Sequence, residues 1–512
     1  MNNLLINPPG YSYVRPMNSE YSIGLLKLST YLKSKGENVE YFDFVPNKEF
    51  FSCFNVLNNG SDFRTFKYYS SDIDQLKCYK SQEYPLDRSS FIRNTGEYVT
   101  RFGDIFSRIY SGVDRSVFID YLKKNKPDRI WISSGITYHY KGTVDLINWC
   151  KDIYPDVEVN LGGIYPTLCY DDAVKNTKAD TIFVGENPEF KDMMMDYEVL
   201  PNKPEYIVRQ FSKGCPNSCK FCAVSHLDGR KVRVVDIDKD IQEIDYLTTK
   251  YNTNRIKLWG SNMLLPGKGK CFEEWLDKLI ALDKKFEISC PEGFAPELLT
   301  DSICKKIHRA GFLYIEIPLE SGTDESLSGE MGKKYNIETW EKAVSYAWNA
   351  GYDKHQIHVA MIYAAVNQNW KDLLEAVKLI TKHNLRAVGR PYVPVPKSEW
   401  YEESDRFKSM DLELLDGALY PAIEDINLYK EMKMLSSYLI DNMSCEINDR
   451  RVEFLKEIEG DNTMINGEVI DKMAVLLIDI AQQNEAILAG MEELKSLKKR
   501  VEDLENGEKS EA

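Results

Sequence analysis

Short runs of branched and aromatic residues alternate with amphipathic helical stretches along most of this chain, and strands that alternate with helices pair as parallel neighbours joined by crossovers. The first run, Leu4-Leu5-Ile6, ends in Asn7-Pro8-Pro9-Gly10, through which neither strand nor helix continues. Apolar residues at Ile23, Leu25, Leu26, Leu28, Tyr31 and Leu32 predict a helix closed by Gly36, and Val39 to Phe44 alternates as a strand. The rhythm resumes with a strand at Arg129 to Ser134, a helix over 142–153 and a strand at Val157 to Leu161 that ends in Gly162-Gly163. A helix near 171–176 and a strand at Asp180 to Val184, ending in Gly185-Glu186, complete the series. The pattern predicts a doubly wound parallel sheet. Ligands of such sheets bind beyond the carboxyl ends of the strands, where Asn7-Pro8, Ser134-Gly135 and Gly162-Gly163 fall.

Residues 46–115 interrupt this unit with weak periodicity and read as an insertion of some helix and much loop. The first domain is expected over 1–190 and a linker over 191–205, in a stretch containing a Met-Met-Met run. From Tyr206 the rhythm restarts, with strands near 206–211, 255–259, 286–290, 313–319, 356–363 and 386–393. Helices fall between them at 238–250, 271–283, 297–310, 338–350 and 369–383. Six such units over 206–405 predict a partial (β/α)6 barrel with its chemistry at the carboxyl ends of its strands. A helical extension is expected over 406–470 and an amphipathic helix over 471–505. Ile480, Ile487, Leu494 and Val501 recur every seven residues there, with Leu497 and Leu504 at d positions of the last two heptads, as in a short coiled coil. Residues 506–512 read as a disordered tail.

A formal charge of −15 argues against nucleic acid as a partner, because phosphate binding needs a basic face. No apolar run approaches the length of a membrane span, and the N-terminus lacks the features of a signal peptide. Eleven scattered cysteines do not form a secreted disulfide framework, so a reducing, cytoplasmic setting is expected.

Three of those cysteines are not scattered. Gly214-Cys215-Pro216-Asn217-Ser218-Cys219-Lys220-Phe221-Cys222 sets thiols at C-x3-C-x2-C on a loop after the first strand of the second series. Thiolates suit iron–sulfur clusters and zinc. A closed structural site takes four ligands, whereas a cubane held by three leaves one iron open to a small molecule. A zinc knuckle with His226 as fourth ligand is the alternative. The other eight cysteines show no pair at C-x2-C spacing, which speaks against a second cluster.

The three-cysteine loop, with an aromatic before its last thiol, resembles that of the radical S-adenosylmethionine (SAM) superfamily. So does Ile315-Glu316-Ile317-Pro318-Leu319-Glu320-Ser321-Gly322-Thr323, which is similar to the superfamily's fourth-strand motif. The resemblance implies a 4Fe–4S cluster on Cys215, Cys219 and Cys222, with SAM on the open iron, cleaved reductively to methionine and a 5′-deoxyadenosyl radical. It implies that Glu320 and Ser321 contact SAM and that Phe221 packs near it. Asn262 stands where relatives carry a carboxylate for the SAM amino group, and Glu292, Arg390 and Tyr392 are further candidates at strand ends. The sequence departs from the family at Ala364-Ala365-Val366-Asn367, where relatives carry Gly-x-Pro-Gly.

The first domain resembles the Rossmann-like, cobalamin-binding-type domain that precedes many such cores. This implies a cobalamin site drawn from Asn7, Pro8, Ser134, Gly135, Gly162, Gly163, Gly185 and Glu186. The Asp-x-His-x-x-Gly loop that ligates cobalt elsewhere is absent, so cobalamin would bind without a protein ligand. With cobalamin, the implied reaction is methyl transfer to an unactivated carbon; without it, a radical rearrangement, oxidation or cyclisation. A non-catalytic iron–sulfur or zinc interaction protein is the reading from another class. Expected partners are a small-molecule, lipid or peptide substrate, an electron donor such as flavodoxin or ferredoxin, and a second copy through the C-terminal helix.

Overall fold

The computed structural model describes residues 1–13, 20–45, 92–99 and 105–416, with isolated positions 48, 422, 423, 429, 432 and 452 besides. Most of the expected helical extension, the heptads of 480–504 and the tail lie outside the described residues.

The chain opens with β1 (Asn2–Asn7), β2 (Gly10–Ser12), α1 (Ile23–Ser34) and β3 (Asn38–Asp43). Then come β4 (Ile92–Val99), β5 (Ile105–Ser111), α2 (Arg115–Lys124), β6 (Arg129–Ser134) and α3 (Tyr140–Ile153). β7 (Glu158–Gly163), the short helices α4 (Ile164–Leu168) and α5 (Tyr170–Asn176), and β8 (Thr181–Ile182) follow. Five of these strands form one parallel sheet in the order β3-β1-β6-β7-β8, so the winding reverses between β1 and β6. Both faces are covered. Leu4, Ile6, Ile130 and Leu161 bury against Phe118, Leu146 and Ile147, while Leu5 faces Leu25, Leu28 and Leu32 of α1. That explains why Leu4-Leu5-Ile6 in β1 reads as an unbroken apolar run.

Within 46–115 the described residues 92–99 and 105–111 form strands, where helix and loop were expected; most of the rest of that stretch lies outside the described residues. β5 pairs antiparallel with β2 and with β4, in a three-stranded sheet of its own. The strand-forming residues Ile92, Tyr98, Ile105, Phe106 and Tyr110 are plain in the sequence. The partner of β5, β2, however, lies about a hundred residues upstream, beyond any local count of periodicity.

The second half runs β9 (Ile207–Lys213), α6 (Val224–Leu227), β10 (Arg233–Val234), α7 (Ile237–Tyr251), β11 (Arg255–Gly260), α8 (Lys270–Ala281) and β12 (Glu287–Ser289). It continues with α9 (Asp301–Ala310), β13 (Ile315–Glu316), α10 (Ile337–Asn349), β14 (Ile357–Tyr363), α11 (Trp370–Lys382) and β15 (Arg386–Pro391). Two sheets, β10-β9-β11-β12 and β13-β14-β15, are joined by a parallel bridge between Ile288 and Phe312. Six parallel strands therefore follow one another in sequence order, with β10 added antiparallel at the edge. Their outer faces bury Phe211, Ile256, Leu258, Ile315, Ile317, Val359 and Met361 against the helices, beside Phe272 and Trp275 of α8.

One buried ion pair stands in that apolar layer. Arg209 on β9 donates to Asp240 on α7 and, at 2.7 Å, to Glu243; Trp275 Nε1 donates to Asp240 Oδ2 at 2.8 Å. After β15 the chain returns to the first half: Trp400, Phe407, Leu412 and Leu415 share a core with Leu4, Ile132 and Leu161. Lys141 on α3 pairs with Asp411 at 3.0 Å and with Glu413 at 2.5 Å. No helix among the described residues is long and apolar enough to cross a membrane.

Candidate active site

The three-thiol loop leaves β9 through Gly214, whose φ is 85°. A Cβ there would stand 2.2 Å from the Lys231 carbonyl oxygen, so the exit needs glycine. Gly214 N donates to Ser261 Oγ at 3.0 Å, and Ser261 donates on to Asp228 at 2.6 Å. Cys215 N is held by the Gly229 carbonyl at 3.0 Å, and Cys222 N by that of Cys219 at 3.0 Å. On the far side Lys220 N bonds the Met331 carbonyl at 3.1 Å, and Trp400 N bonds the Lys220 carbonyl at 3.1 Å. Gly332 is pressed so close that a Cβ would come within 2.6 Å of the Ser218 carbonyl oxygen.

Cys215, Cys219 and Cys222 are all partly buried and unpaired. Burial pushes each thiol up, Cys222 to about 11, while the Lys333 ammonium pulls the other way. Among the described residues no three His, Cys, Asp or Glu side chains are gathered closely enough to share a single metal ion. His226 lies on α6, just beyond the loop.

Across from the loop, the chain leaving β13 makes a γ-turn. Ser321 N bonds the Leu319 carbonyl at 2.8 Å, with Glu320 at the centre in a left-handed conformation, φ 63°. A non-glycine residue held this way is strained, and such strain is kept where neighbours over-determine it. The neighbours are on α11. Gly322 N bonds the Asp372 carbonyl at 3.2 Å, and Thr323 Oγ1 donates to Asp372 Oδ1 at 2.9 Å. Asp372 also closes the capping box of α11 with Asn369. A Cβ on Gly322 would fall 2.0 Å from Ala376 N. Thus Glu320 and Ser321 are fixed before any ligand arrives. Glu320 accepts from Lys333 Nζ at 3.0 Å, and Ser321 Oγ is fully buried with no hydrogen-bond partner.

The remaining candidates divide. Glu292, three residues beyond β12, is exposed yet walled by protein; burial pushes its carboxyl up to about 7, with Glu20 and Asp228 adding to the effect. Asn262 spends its side-chain oxygen on Leu264 N at 3.1 Å and its carbonyl on Ser212 Oγ at 3.1 Å. Arg390 is half-buried near the end of β15. Tyr392 is buried, its ring edge-on to Trp400 at 5.0 Å, inside the core that joins the two halves. Ala364 and Asn367 adopt φ of 54° and 60°, conformations ordinarily left to glycine, so the departure at 364–367 retains a glycine-like backbone. Lys333, Ser261 and Asp228 were not singled out from the sequence. Nothing local marks them, because each is defined by what it meets in space.

At the carboxyl edge of the first sheet, Asn7 Nδ2 donates to Asp43 at 2.7 Å and Pro8 is buried. Pro9 is packed so tightly on Gly142 that a Cβ there would come 2.1 Å from its carbonyl oxygen. The chain itself thus closes the crossing between β1 and β6. Ser134 Oγ is engaged by Thr143 at 2.9 Å. Beyond it the edge opens: a Cβ on Gly135 or Gly185 would meet nothing within 4 Å. Ile136, Ile164 and Val184, one after each of β6, β7 and β8, are 46%, 37% and 54% exposed. Gly162 and Gly163 are partly exposed between them. Glu186 instead pairs with Lys213 at 2.7 Å and Arg233 at 2.8 Å; burial opposes its ionisation, and the two cations outweigh burial and hold it below the usual range.

Residues 210–386 match the sequence profile of the Radical SAM superfamily. A tRNA-2-methylthio-N(6)-dimethylallyladenosine synthase from Natranaerobius thermophilus is 25% identical over 243 residues, covering 40% of this chain and 51% of that protein. A bacteriochlorophyllide d C-8(2)-methyltransferase from Chlorobaculum tepidum is 26% identical over 208 residues, 39% of this chain and 44% of that one. The chain spans about half the length of these relatives. Among solved structures the fold is similar to that of the radical SAM methyltransferase TsrM from Kitasatospora setae, with tryptophan substrate and the SAM analogue aza-SAM bound. The TM-score is 0.52 at 12% identity, over 78% of this chain and 76% of that one. A second structure of TsrM holds cobalamin and a [4Fe-4S] cluster. The superfamily works with that type of cluster and with SAM, and the likeness of this chain to the radical SAM superfamily lies in residues 210–386.

Proposed function

We propose that this chain is a radical SAM methyltransferase that binds a 4Fe–4S cluster, SAM and cobalamin and methylates a carbon of a small molecule. The observation that carries the first part is the facing pair of the three-thiol loop and the rigid Glu320 turn. Three soft donors on one loop suit a cubane with an open iron. The buried, unpartnered Ser321 hydroxyl suits a polar cofactor group, since a polar atom without a partner is costly to bury. When bound, the cluster and SAM supply one-electron cleavage of the sulfonium, and cobalamin supplies a methyl carrier. In this reading Cys215, Cys219 and Cys222 hold the iron, Glu320 and Ser321 orient SAM, and Phe221 packs near it. Asn262, Glu292 and Arg390 line the mouth of a partial (β/α)6 barrel over about 206–405. Tyr392 supports the mouth from within the joining core.

Cobalamin is supported by the open edge of the first sheet. A broad, largely apolar macrocycle needs a flat platform, and side-chain-free Gly135 and Gly185 beside exposed Ile136, Ile164 and Val184 make one. The binding residues we propose are Ser134, Gly135, Gly162, Gly163 and Gly185, with Asn7 and Pro8 shaping the closed side and Glu186 tying the edge to β9. A small molecule is favoured over tRNA by the net charge of −15. The test is anaerobic reconstitution with iron, sulfide and hydroxocobalamin. Full-chain protein should take up all three, give a cob(III)alamin spectrum after gel filtration, and release 5′-deoxyadenosine or S-adenosylhomocysteine with SAM and dithionite. Cys219→Ala should lose the iron and the turnover and keep the cobalamin. One zinc per chain without sulfide would refute the reading.

A further inference from the structure

Lys333 places its ammonium between the two halves of the candidate site. Its side chain is only 13% exposed, and its Nζ donates to Glu320 at 3.0 Å. The same Nζ sits 4.9 Å from the centre of the Phe221 ring, on the three-thiol loop, and 5.8 Å from that of Tyr335. Its backbone is fixed as well, Lys333 N bonding the Leu327 carbonyl at 2.8 Å, while Met331 and Gly332 just before it grip Lys220 and Ser218. The next residue, Lys334, is exposed to solvent. Two adjacent lysines are thus sorted, one inward and one outward.

A full positive charge in a protein interior is costly unless it is paired and unless something gains from it. Glu320 supplies the pairing. The Phe221 face supplies a second, directional attraction, since a ring quadrupole favours a cation above it. What remains is a cation aimed at a loop that, on the reading above, carries a cluster gaining negative charge on reduction.

We propose that Lys333 is a positioning and charge-tuning residue: seated on Phe221 and held by Glu320, it fixes the three-thiol loop and raises the reduction potential of the cluster bound there. This inference rests on the proposed cluster. It assigns the pair a role in the electron-transfer step, apart from contact with SAM.

The test is an EPR-monitored redox titration of the anaerobically reconstituted full chain, without SAM, after iron and sulfide have been counted. Absence of a cluster in the unaltered protein would refute the functional reading itself. With the cluster present, signs decide. Lys333→Met leaves a net negative charge and should make the midpoint more negative, by about tenfold in reduced fraction at fixed potential, or about 59 mV for a one-electron couple. Glu320→Gln should move it the other way, and the double variant should return close to the starting value. Lys333→Arg should rescue the midpoint, and Lys334→Met, an equal charge change in solvent, should leave it in place. Should Lys333→Met take up no cluster, Glu320→Gln and the double variant still decide. Equal midpoints for all loaded variants, or a shift with Lys334→Met as large as with Lys333→Met, would overturn the proposal.

Discussion

Removing the carboxylate of Asp240 tests whether the polar contact between β9 and α7 holds the strand that feeds the thiol loop. Asp240→Ala deletes the acceptor of Arg209 Nε, at 2.9 Å, and of Arg209 Nη2, together with that of Trp275 Nε1 at 2.8 Å. Arg209 is 6% exposed and Asp240 2%, so water cannot readily replace what is lost. Breaking a buried pair from one side costs about 3–5 kcal/mol. Leaving the indole N–H unsatisfied adds about 1–3 kcal/mol. Against this, Glu243 still accepts from Arg209 Nη2 at 2.7 Å, so the cation is not stranded. The balance is a loss of about 4 kcal/mol, with Asp240→Asn losing about half of that, since it retains acceptor capacity for one donor. The assay is urea unfolding of the apo-protein under reducing conditions, followed by tryptophan fluorescence and far-UV circular dichroism. The second arm is the double replacement Arg209→Met, Asp240→Leu, which removes both charges and should recover at least half of the loss. A loss under about 1.5 kcal/mol for Asp240→Ala would show the site to be hydrated and the reasoning wrong. A double variant no better than the single one would show that packing rather than charge is at stake.

Gly322→Ala drives a methyl group into the backbone of α11, 2.0 Å from Ala376 N, and should displace the Glu320 turn. Its cost should be about 2–3 kcal/mol in the same unfolding assay, with SAM binding by equilibrium dialysis weakened more than tenfold. Gly135→Phe fills open space at the sheet edge without backbone strain. It should abolish hydroxocobalamin uptake, read by the visible spectrum after gel filtration, and leave iron content unchanged. Glu292→Gln should alter the pH dependence of stability. Its carboxyl is raised to about 7, so the folded state holds a proton that the unfolded state releases from about 4.5 upward. Stability contributed by this group therefore falls as pH rises between those values, and Glu292→Gln should remove that fall. The effect is about 1 kcal/mol after discounting for the open face of the side chain, measured as urea midpoints at pH 5 and pH 8.

Much of the fold was legible because the apolar run Leu4-Leu5-Ile6, buried on both faces, and the alternating Arg129 to Ser134 stand out from the helices between them. The six strands of the second half were located to within a few residues for the same reason. β4 and β5 were not, since the pairing of β5 with β2 bridges a long insertion and β4 joins the sheet only through β5. The thiol loop and Glu320-Ser321 were legible as residues. Their mutual geometry was not: the γ-turn at Glu320 depends on Gly322 meeting α11, and no spacing rule encodes that contact. Glu186 and Asn7 carry the same lesson in reverse. Each lies at a strand end where ligands bind, yet Glu186 pairs with Lys213 and Arg233, and Asn7 donates to Asp43.

The anchoring of the thiol loop bears on how a cluster site of this kind can be rebuilt after it is emptied. In small metal-nucleated domains the ligands find their places only as the metal binds, and binding free energy is folding free energy. Here the loop is tied by Ser261 from beyond β11, by Met331 from beyond β13 and by Trp400 from beyond β15, each through a backbone amide or carbonyl. Those ties draw on strands whose cohesion comes from Phe211, Ile256, Trp275 and Val359 in a shared core, not from any ligand. The backbone of the loop that carries Cys215, Cys219 and Cys222 is therefore held by the fold, and on the proposed reading much of its ordering entropy would be met before iron arrives. The Glu320 turn, held from α11, is set independently of the loop. The two meet through Lys333, so this side chain is where the separately organised halves of the site are brought into register.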